Sequence, residues 1–277
     1  MNEPHDIDLA GRAAEARGAL RACDLCSRRC GADRASGATG YCGVGAQSRW
    51  FRELVIYGIE MELIPAHAVY LCGCNMRCAF CNVEPWNLAP ATGEAWDPAW
   101  MARRVEQRRG EGASTLLILG GEPTINLPAV LDMLARVKDK PRVAWDSNML
   151  LSERSRGLLD GIVDVYVADL KFGNNACARR LADFEGYLEV VGANLKFAER
   201  TAGLIVRHLM LPGHFECCTI PALKWLSENV EKPRLSLNWG YRPPNARPEF
   251  PELTGAIDEK EFEQARDRAI GLGMELV

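Results

Sequence analysis

Residues 70–82 read YLCGCNMRCAFCN, with Cys72, Cys74, Cys78 and Cys81 inside ten positions. Thiolates are ligands for zinc and for iron–sulfur clusters. Cys74, Cys78 and Cys81 form C-x3-C-x2-C, three ligands in one tight loop. A 4Fe-4S cube takes four ligands, so three leave one iron open to a substrate or cofactor, as a catalytic zinc keeps an open position. Spacing alone equally admits a zinc knuckle, or an electron-transfer cluster with a distant fourth cysteine. Cys72 shares the parity of Cys74 along an extended chain. It reads either as a small buried residue or as a thiol facing the site.

A second group, Cys23, Cys26, Cys30 and Cys42, is spaced C-x2-C-x3-C-x11-C among Gly31, Gly37, Gly40 and Gly43. Such a turn-rich stretch folds around a metal rather than around a hydrophobic core. Its four thiols suit a second iron–sulfur cluster or tetrahedral zinc. Cys177 stands alone and Cys217 adjoins Cys218, all in helix-like stretches, where buried inert thiols are the expectation. Cys217 follows Pro212-Gly213-His214 at a strand end, so a place near the mouth of the fold stays open.

The chain has 277 residues, 48% hydrophobic and 25% charged, with a formal net charge of −4. That is an ordinary globular balance, and bulk charge draws it neither to nucleic acid nor to anionic membrane. Its first nine residues are polar, and no apolar run approaches the roughly 20 residues of a membrane span. The expectation is a cytoplasmic protein, where grouped cysteines bind metals rather than form disulfides.

The elements that must position these thiols follow from periodicity. A short Ala-rich helix is expected over 8–22, the metal knuckle over 23–50, and strands within 50–64. Apolar β-rich runs then alternate with amphipathic stretches. Strands are expected at 69–71, 115–121, 142–148, 163–172, 204–213 and 234–241. Helices are expected at 97–110, 126–138, 151–160, 175–200 with a break at Gly186, 219–230 and 258–271, with an edge strand at 274–277. Six β-α repeats with continuous apolar strands imply a parallel α/β sheet, open or a partial barrel, with ligands at the carboxyl strand ends. Polar residues collect at those ends: the cysteines, Gly120-Gly121-Glu122-Pro123, Asp146-Ser147-Asn148, Asp169 with Lys171, and Arg207 with His208. Asp169 and Lys171 share a strand face, while Arg207 and His208 point to opposite faces. The domain division expected is a cysteine-rich region at 1–50 and an α/β core at 51–277.

The pairing of Cys74-Asn-Met-Arg-Cys78-Ala-Phe80-Cys81 after one strand with Gly120-Gly121-Glu122-Pro123 after the next resembles the radical S-adenosylmethionine (SAM) superfamily. The resemblance implies a partial (β/α)6 barrel with a small N-terminal iron–sulfur extension. It implies a 4Fe-4S cluster on Cys74, Cys78 and Cys81, with SAM chelating the open iron. Reductive cleavage of SAM then gives methionine and a 5′-deoxyadenosyl radical that abstracts hydrogen from substrate. Under that resemblance Gly120 and Gly121 allow close backbone approach to the methionine moiety. Glu122 faces the SAM ammonium, Phe80 the adenine, and Lys171 the SAM carboxylate. Ser147 or Asn148 bonds the ribose or methionine end, and Asp169 and one of Arg207 and His208 complete the lining.

The segments CDLCSRRCGADRASGATGYCG (23–43), YVADLKF (166–172), VRHLMLPG (206–213) and LNWGYRPP (237–244) are similar to proteins related to pyruvate formate-lyase activating enzyme that carry an N-terminal cysteine knuckle. That resemblance favours a second iron–sulfur cluster over zinc at Cys23, Cys26, Cys30 and Cys42. The chain departs from the group at Cys72, after Cys81, and at Asn238-Trp239-Gly240-Tyr241. These departures favour a peptide or small-molecule substrate. The resemblance also implies a reducing partner such as flavodoxin or ferredoxin. The alternatives are an activating enzyme that installs a glycyl radical on a partner protein, and a non-catalytic iron–sulfur electron carrier.

Overall fold

The computed structural model describes residues 7–58, 60–242 and 248–277. The chain forms two compact units, described separately below. The first comprises residues 1–75, 85–146 and 151–164, and the second 76–84, 147–150 and 165–277. This division departs from the expected boundary at residue 50. The knuckle packs into the first unit through side chains such as Leu25, fully buried, and Arg34, 1% exposed.

In the first unit, Asp8 caps α1 (Leu9–Gly18) by accepting from the Gly11 amide at 2.8 Å. β1 (Arg49–Ile56) pairs antiparallel with β2 (Ala66–Leu71) and with the short β3 (Glu94–Ala95). β2 runs parallel to β4 (Thr115–Gly120), from Ala66 opposite Thr115 to Leu71 opposite Gly120. β4 is parallel to β5 (Val143–Ser147). The short α2 (Glu84–Leu88) precedes β3. α3 (Pro98–Gly110) starts on an Asp97 cap, α4 (Leu127–Leu134) packs against α1, and α5 (Glu153–Leu159) starts on Ser152. Leu116, Leu117, Ile118, Ala144 and Trp145 are buried on both faces of the sheet, the signature of parallel strands covered by helices.

In the second unit, β6 (Val165–Asp169), β7 (Gly203–Leu209), β8 (Arg234–Asn238) and the two-residue β9 (Glu275–Leu276) are parallel in that order. The helices are α6 (Asn175–Ala182), α7 (Tyr187–Thr201), α8 (Ile220–Asn229) and α9 (Glu259–Gly271). The expected break falls at Gly186, whose φ of 65° suits glycine and separates α6 from α7.

All six expected parallel strands form, but several are shorter than their apolar runs. The 163–172 run yields β6 only to Asp169, and the 204–213 run yields β7 only to Leu209. Polar residues at the strand ends leave the ladder for turns. Ser147 Oγ accepts from the Met149 amide and Asn148 Oδ1 from the Leu150 amide, both at 3.0 Å. Such local side-chain bonds compete with the sheet. The helix expected at 219–230 is preceded by an unexpected wide π-turn, Phe215–Thr219.

Candidate functional site

The knuckle is built from tight turns. The Cys23 amide donates to the Ala32 carbonyl and the Gly31 amide to the Cys23 carbonyl, each at 3.0 Å; the Arg29 amide donates to the Cys26 carbonyl at 3.0 Å. A Cβ on Gly40 would stand 2.7 Å from Cys30 Sγ and 4.0 Å from Cys42 Sγ, so both thiols close on that glycine. Cys26 and Cys42 pack with Val44 and Ile125. Burial pushes the Cys26 thiol up to about 11, and the neighbouring Cys42 and Cys23 add to the rise. The buried Arg34 guanidinium reaches into the same place. It donates to the Gly45 carbonyl at 3.0 and 2.9 Å, to the Ile125 carbonyl at 2.9 Å, and to Cys23 Sγ at 3.6 Å.

The root of the second cysteine loop belongs to the same unit. Asn75 is buried and its backbone carbonyl accepts from Arg28 Nε at 2.5 Å. The Asn75 side chain touches thiols of both groups: it hydrogen-bonds Cys26 and lies 4.0 Å from Cys74 Sγ. The Gly-Gly-Glu-Pro turn is fastened to this root. The Gly121 amide donates to the Leu71 carbonyl at 2.8 Å, and the Glu122 amide to the Gly73 carbonyl at 2.9 Å. A Cβ on Gly120, where φ is 130°, would run into the Leu71 backbone, and one on Gly121 would land on the Gly73 carbonyl and Asn87. The clearance these glycines provide is therefore filled by the chain's own cysteine loop. Glu122 is fully buried, and one carboxylate oxygen accepts from the Thr124 amide at 3.0 Å.

Cys72 sits on this unit's strand layer, fully buried, with Sγ against Gly93 and its carbonyl accepting from Asn126 Nδ2 at 3.1 Å. Burial raises its thiol to about 11. Packing of this kind supports the reading of Cys72 as a small buried residue.

The second unit carries Cys78 and Cys81. The Arg77 and Ala79 amides donate to the Ala182 and Leu181 carbonyls at 3.1 and 2.7 Å, fixing this half of the loop on the end of α6. Burial pushes the Cys78 thiol up to about 12, against the pull of the Lys171 ammonium. The Lys171 ammonium is 2.5 Å from Asp169 Oδ2, although β6 ends at Asp169 and the expected shared strand face does not extend to Lys171. Burial opposes its charge, but Asp169 and Cys78 outweigh burial and hold it protonated. Two of its three donors remain for other partners. The Lys171 amide donates to the Tyr187 hydroxyl at 2.7 Å.

Phe80 is buried and meets Phe172 edge-on at 5.9 Å, and Phe172 meets Tyr187 edge-on at 5.3 Å. Of the adjacent pair, Arg207 is half-buried and His208 is buried. His208 Nδ1 is 2.7 Å from the Leu170 carbonyl and Nε2 is 3.0 Å from Thr219 Oγ1, so both ring nitrogens have protein partners. Burial lowers its pKa, keeping it neutral. Ser147 and Asn148 shape the turn after β5, and the Met149 carbonyl accepts from Asn194 Nδ2 at 2.7 Å.

Sequence reasoning passed over Asn75, Tyr187 and one whole cluster. Cys177 is half-buried and Cys217 exposed, contrary to the expectation of buried inert thiols, and they gather with His214 and Cys218. The signal was present in the spacing: 214, 217 and 218 are i, i+3 and i+4, one face of a helical turn.

The profile of the family described as "4Fe-4S single cluster domain" matches residues 65–176. An uncharacterized protein of Methanocaldococcus jannaschii is 29% identical over 283 residues, covering 99% of this chain and 81% of that protein. The solved structure of SuiB from Streptococcus suis bound to precursor peptide SuiA is 15% identical with a TM-score of 0.54, over 74% of this chain and 46% of that one. A radical SAM methyltransferase from Sphaerobacter thermophilus is 14% identical with a TM-score of 0.54, over 77% of this chain and 66% of that one. The chain thus spans less than half the length of the SuiB chain it matches. No described helix is long and apolar enough to cross a membrane. The chain thus carries a match to the 4Fe-4S single cluster domain over residues 65–176 and shares its fold with SuiB and with the radical SAM methyltransferase.

Proposed function

We propose that the protein is a radical SAM enzyme that abstracts hydrogen from a peptide or small-molecule substrate. The observation that carries this reading is the fastening of the Gly-Gly-Glu-Pro turn onto the root of the C-x3-C-x2-C loop, through the Gly121 and Glu122 amides. A zinc knuckle or plain electron carrier has no need of that turn. The donor set fits a cluster: Cys74 is buried, and Cys78 is a half-buried thiol beside the Lys171 cation, a charge that favours thiolate ligation. When bound, the cluster and SAM supply a 5′-deoxyadenosyl radical.

The chain's own residues hold and orient. Cys74, Cys78 and Cys81 ligate the cluster. Lys171, kept charged by Asp169, takes the SAM carboxylate with its remaining donors. Gly120 and Gly121 let the turn lie directly against Leu71 and Gly73 at the root of the cysteine loop, and Glu122 lines the same turn. Ser147, Asn148 and Arg207 line the polar strand ends, while Phe80 and His208 brace them from behind. Cys23, Cys26, Cys30 and Cys42 hold a second iron–sulfur cluster. Asn75 connects this knuckle to the root of the loop after β2, a fitting place for an electron relay from a flavodoxin or ferredoxin. A peptide substrate is the favoured class, since SuiB, which shares the fold, is described with a precursor peptide bound. Residues 243–247, in the aromatic and proline-rich 237–252 segment expected to close over a substrate, lie outside the described residues.

The test is anaerobic reconstitution followed by reduction with dithionite in the presence of SAM. The expected result is about eight irons per chain, since each 4Fe-4S cluster carries four, together with formation of 5′-deoxyadenosine. Alanine at Cys74, Cys78 and Cys81 together abolishes cleavage. Cleavage persisting in that triple variant would overturn the assignment. Deuterium passing from a labelled candidate peptide into 5′-deoxyadenosine identifies the substrate; a glycine radical on a partner protein identifies the activating-enzyme alternative instead.

A further inference from the structure

The geometry points to a further metal centre in the second unit: a mononuclear, tetrahedral zinc site made by Cys177, His214, Cys217 and Cys218. One ligand atom from each lies within 4.8 Å of all the others. Cys177 Sγ is 3.8 Å from Cys217 Sγ and 3.6 Å from His214 Nδ1. Cys217 Sγ is 3.2 Å and Cys218 Sγ 3.9 Å from the same Nδ1. Zinc bonds of about 2.3 Å to sulfur and about 2.0 Å to nitrogen, set tetrahedrally, give ligand-to-ligand edges of roughly 3.5–3.8 Å. The four atoms already stand close to that figure. Three thiolates and one imidazole in a tetrahedron are a donor set that selects zinc. An iron–sulfur cube puts each cysteine on a different iron, spreading the sulfurs well beyond this cluster.

The local structure explains how adjacent cysteines reach one ion. The wide turn at Phe215–Thr219 follows His214, and both the Cys218 and Thr219 amides donate to the His214 carbonyl, at 2.9 and 3.2 Å. Turns of this width occur inside helices mainly at functional positions. Here the turn brings 214, 217 and 218 to one side. Cys177 comes from the first turn of α6, where its amide is held at 2.7 Å by Asn174 Oδ1.

The surroundings have the form of a supporting shell. Asn174 Nδ2 lies 3.2 Å from Cys177 Sγ and 3.7 Å from Cys218 Sγ, placing an N–H donor beside two thiolates. On the opposite side of the imidazole, buried Nε2 has no hydrogen-bond partner and faces Glu252 Oε1 at 3.6 Å. Arg180 Nη1 anchors the same oxygen at 2.5 Å. A metal on Nδ1 fixes the tautomer with hydrogen on Nε2 and directs it at that carboxylate, the arrangement in which a carboxylate orients a metal-bound histidine. With all four positions filled by protein, the site is structural. It staples the segment after β6, through Cys177, to the segment after β7, through His214 and Cys217-Cys218. Cys218 O crowds Gly173, two residues from Lys171, and Thr219 holds His208. The staple thus fixes the strand ends that carry Lys171 and His208.

The test uses the full chain, purified anaerobically without chelator, and needs no SAM turnover. Elemental analysis should find about one zinc per chain. Cys177→Ser and Cys217→Ser should each lower zinc at least tenfold with iron unchanged, and His214→Cys, which keeps four ligands, should retain it. Cobalt(II) added to zinc-stripped wild type should give the visible bands of tetrahedral thiolate cobalt, a readout independent of whether the serine variants fold. Wild type without zinc and without those bands would overturn the site, as would zinc retained in both serine variants. Loss of iron in place of zinc, or a Cys177–Cys217 disulfide by mass spectrometry of the thiol-blocked protein, would also overturn it.

Discussion

Arg28 Nε and the backbone carbonyl of Asn75 are 2.5 Å apart across 47 positions of chain, so the N-terminal knuckle holds the loop that follows β2 at its root. The Arg28 guanidinium is steadied over the Tyr41 ring, 3.5 Å from its centroid. Asn75 is also the residue whose side chain touches Cys26 and Cys74.

Arg28→Met keeps the apolar stem and deletes this hydrogen bond. A bond from a charged donor contributes about 1.5–3 kcal/mol, so the thermal midpoint should fall by several degrees. SAM cleavage should fall with it, because Cys74 adjoins Asn75. Differential scanning and 5′-deoxyadenosine formation check the two effects. Full activity at a lowered midpoint would show that the knuckle supports stability alone.

Gly121→Ala places a methyl group on the Gly73 carbonyl and Asn87. Backbone cannot yield as a flexible side chain does. The variant should lose about 2–4 kcal/mol, in the range of severe overpacking. Urea unfolding measures it. Gly58→Ala, where a Cβ meets nothing within 4 Å, is the matched control and should be nearly neutral.

Lys171→Met removes a half-buried cation and leaves Asp169 without its ion-pair partner. The KM for SAM should rise at least tenfold, since the variant loses a charged donor to a carboxylate. Asp169→Asn leaves the cation and should have the smaller effect on KM. An unchanged KM in Lys171→Met would remove Lys171 from the SAM site.

The first unit carries an acid-sensitive pair. His67 Nε2 is 3.0 Å from Glu53 Oε2, and Arg104 and Arg108 close on the same carboxylate. Burial lowers His67 from 6.5 to about 4, despite Glu53. Burial works against the Glu53 charge, but the hydrogen bonds from Arg108 and Arg104 outweigh it and bring the carboxyl from 4.5 to about 2. Both folded values lie below the unfolded ones, so the unfolded state binds the extra proton and stability drops as pH falls. The His67 contribution is lost between pH 6.5 and about 4, and that of Glu53 between pH 4.5 and about 2. Urea midpoints should be lower at pH 5 than at pH 7. His67→Gln should flatten that difference, while wild-type slope below pH 4 persists.

Much of the architecture was legible because parallel strands buried on both faces, such as 115–120 and 165–169, give runs too apolar to mistake. The C-x3-C-x2-C loop and the Gly-Gly-Glu-Pro turn were legible because each needs fixed residue types at fixed spacing. What the turn's glycines clear space for was not: only the fold shows the Gly73 carbonyl against Gly121. The ends of β6 and β7 were overrun because hydrophobicity continues through Leu170, Phe172 and Met210 after the ladder has stopped. Cys177 read as a lone thiol because its neighbours in the cluster are 37 to 41 positions away, and only the wide turn at Phe215–Thr219 shows how Cys217 and Cys218 gather with it.

Arg34 has one more consequence. Its guanidinium is buried among carbonyls, close to the Cys23 thiol and within electrostatic reach of Cys42. A positive charge in that position is costly unless negative charge joins it, and metal loading converts neutral thiols to thiolates. Under the proposed second cluster, electroneutrality makes the unloaded knuckle the strained form and the loaded one the relaxed form. A chain without that cluster then keeps a buried cation in its first unit with no thiolate beside it, and its knuckle, between Cys23 and Cys42, should be the segment that proteases cut first.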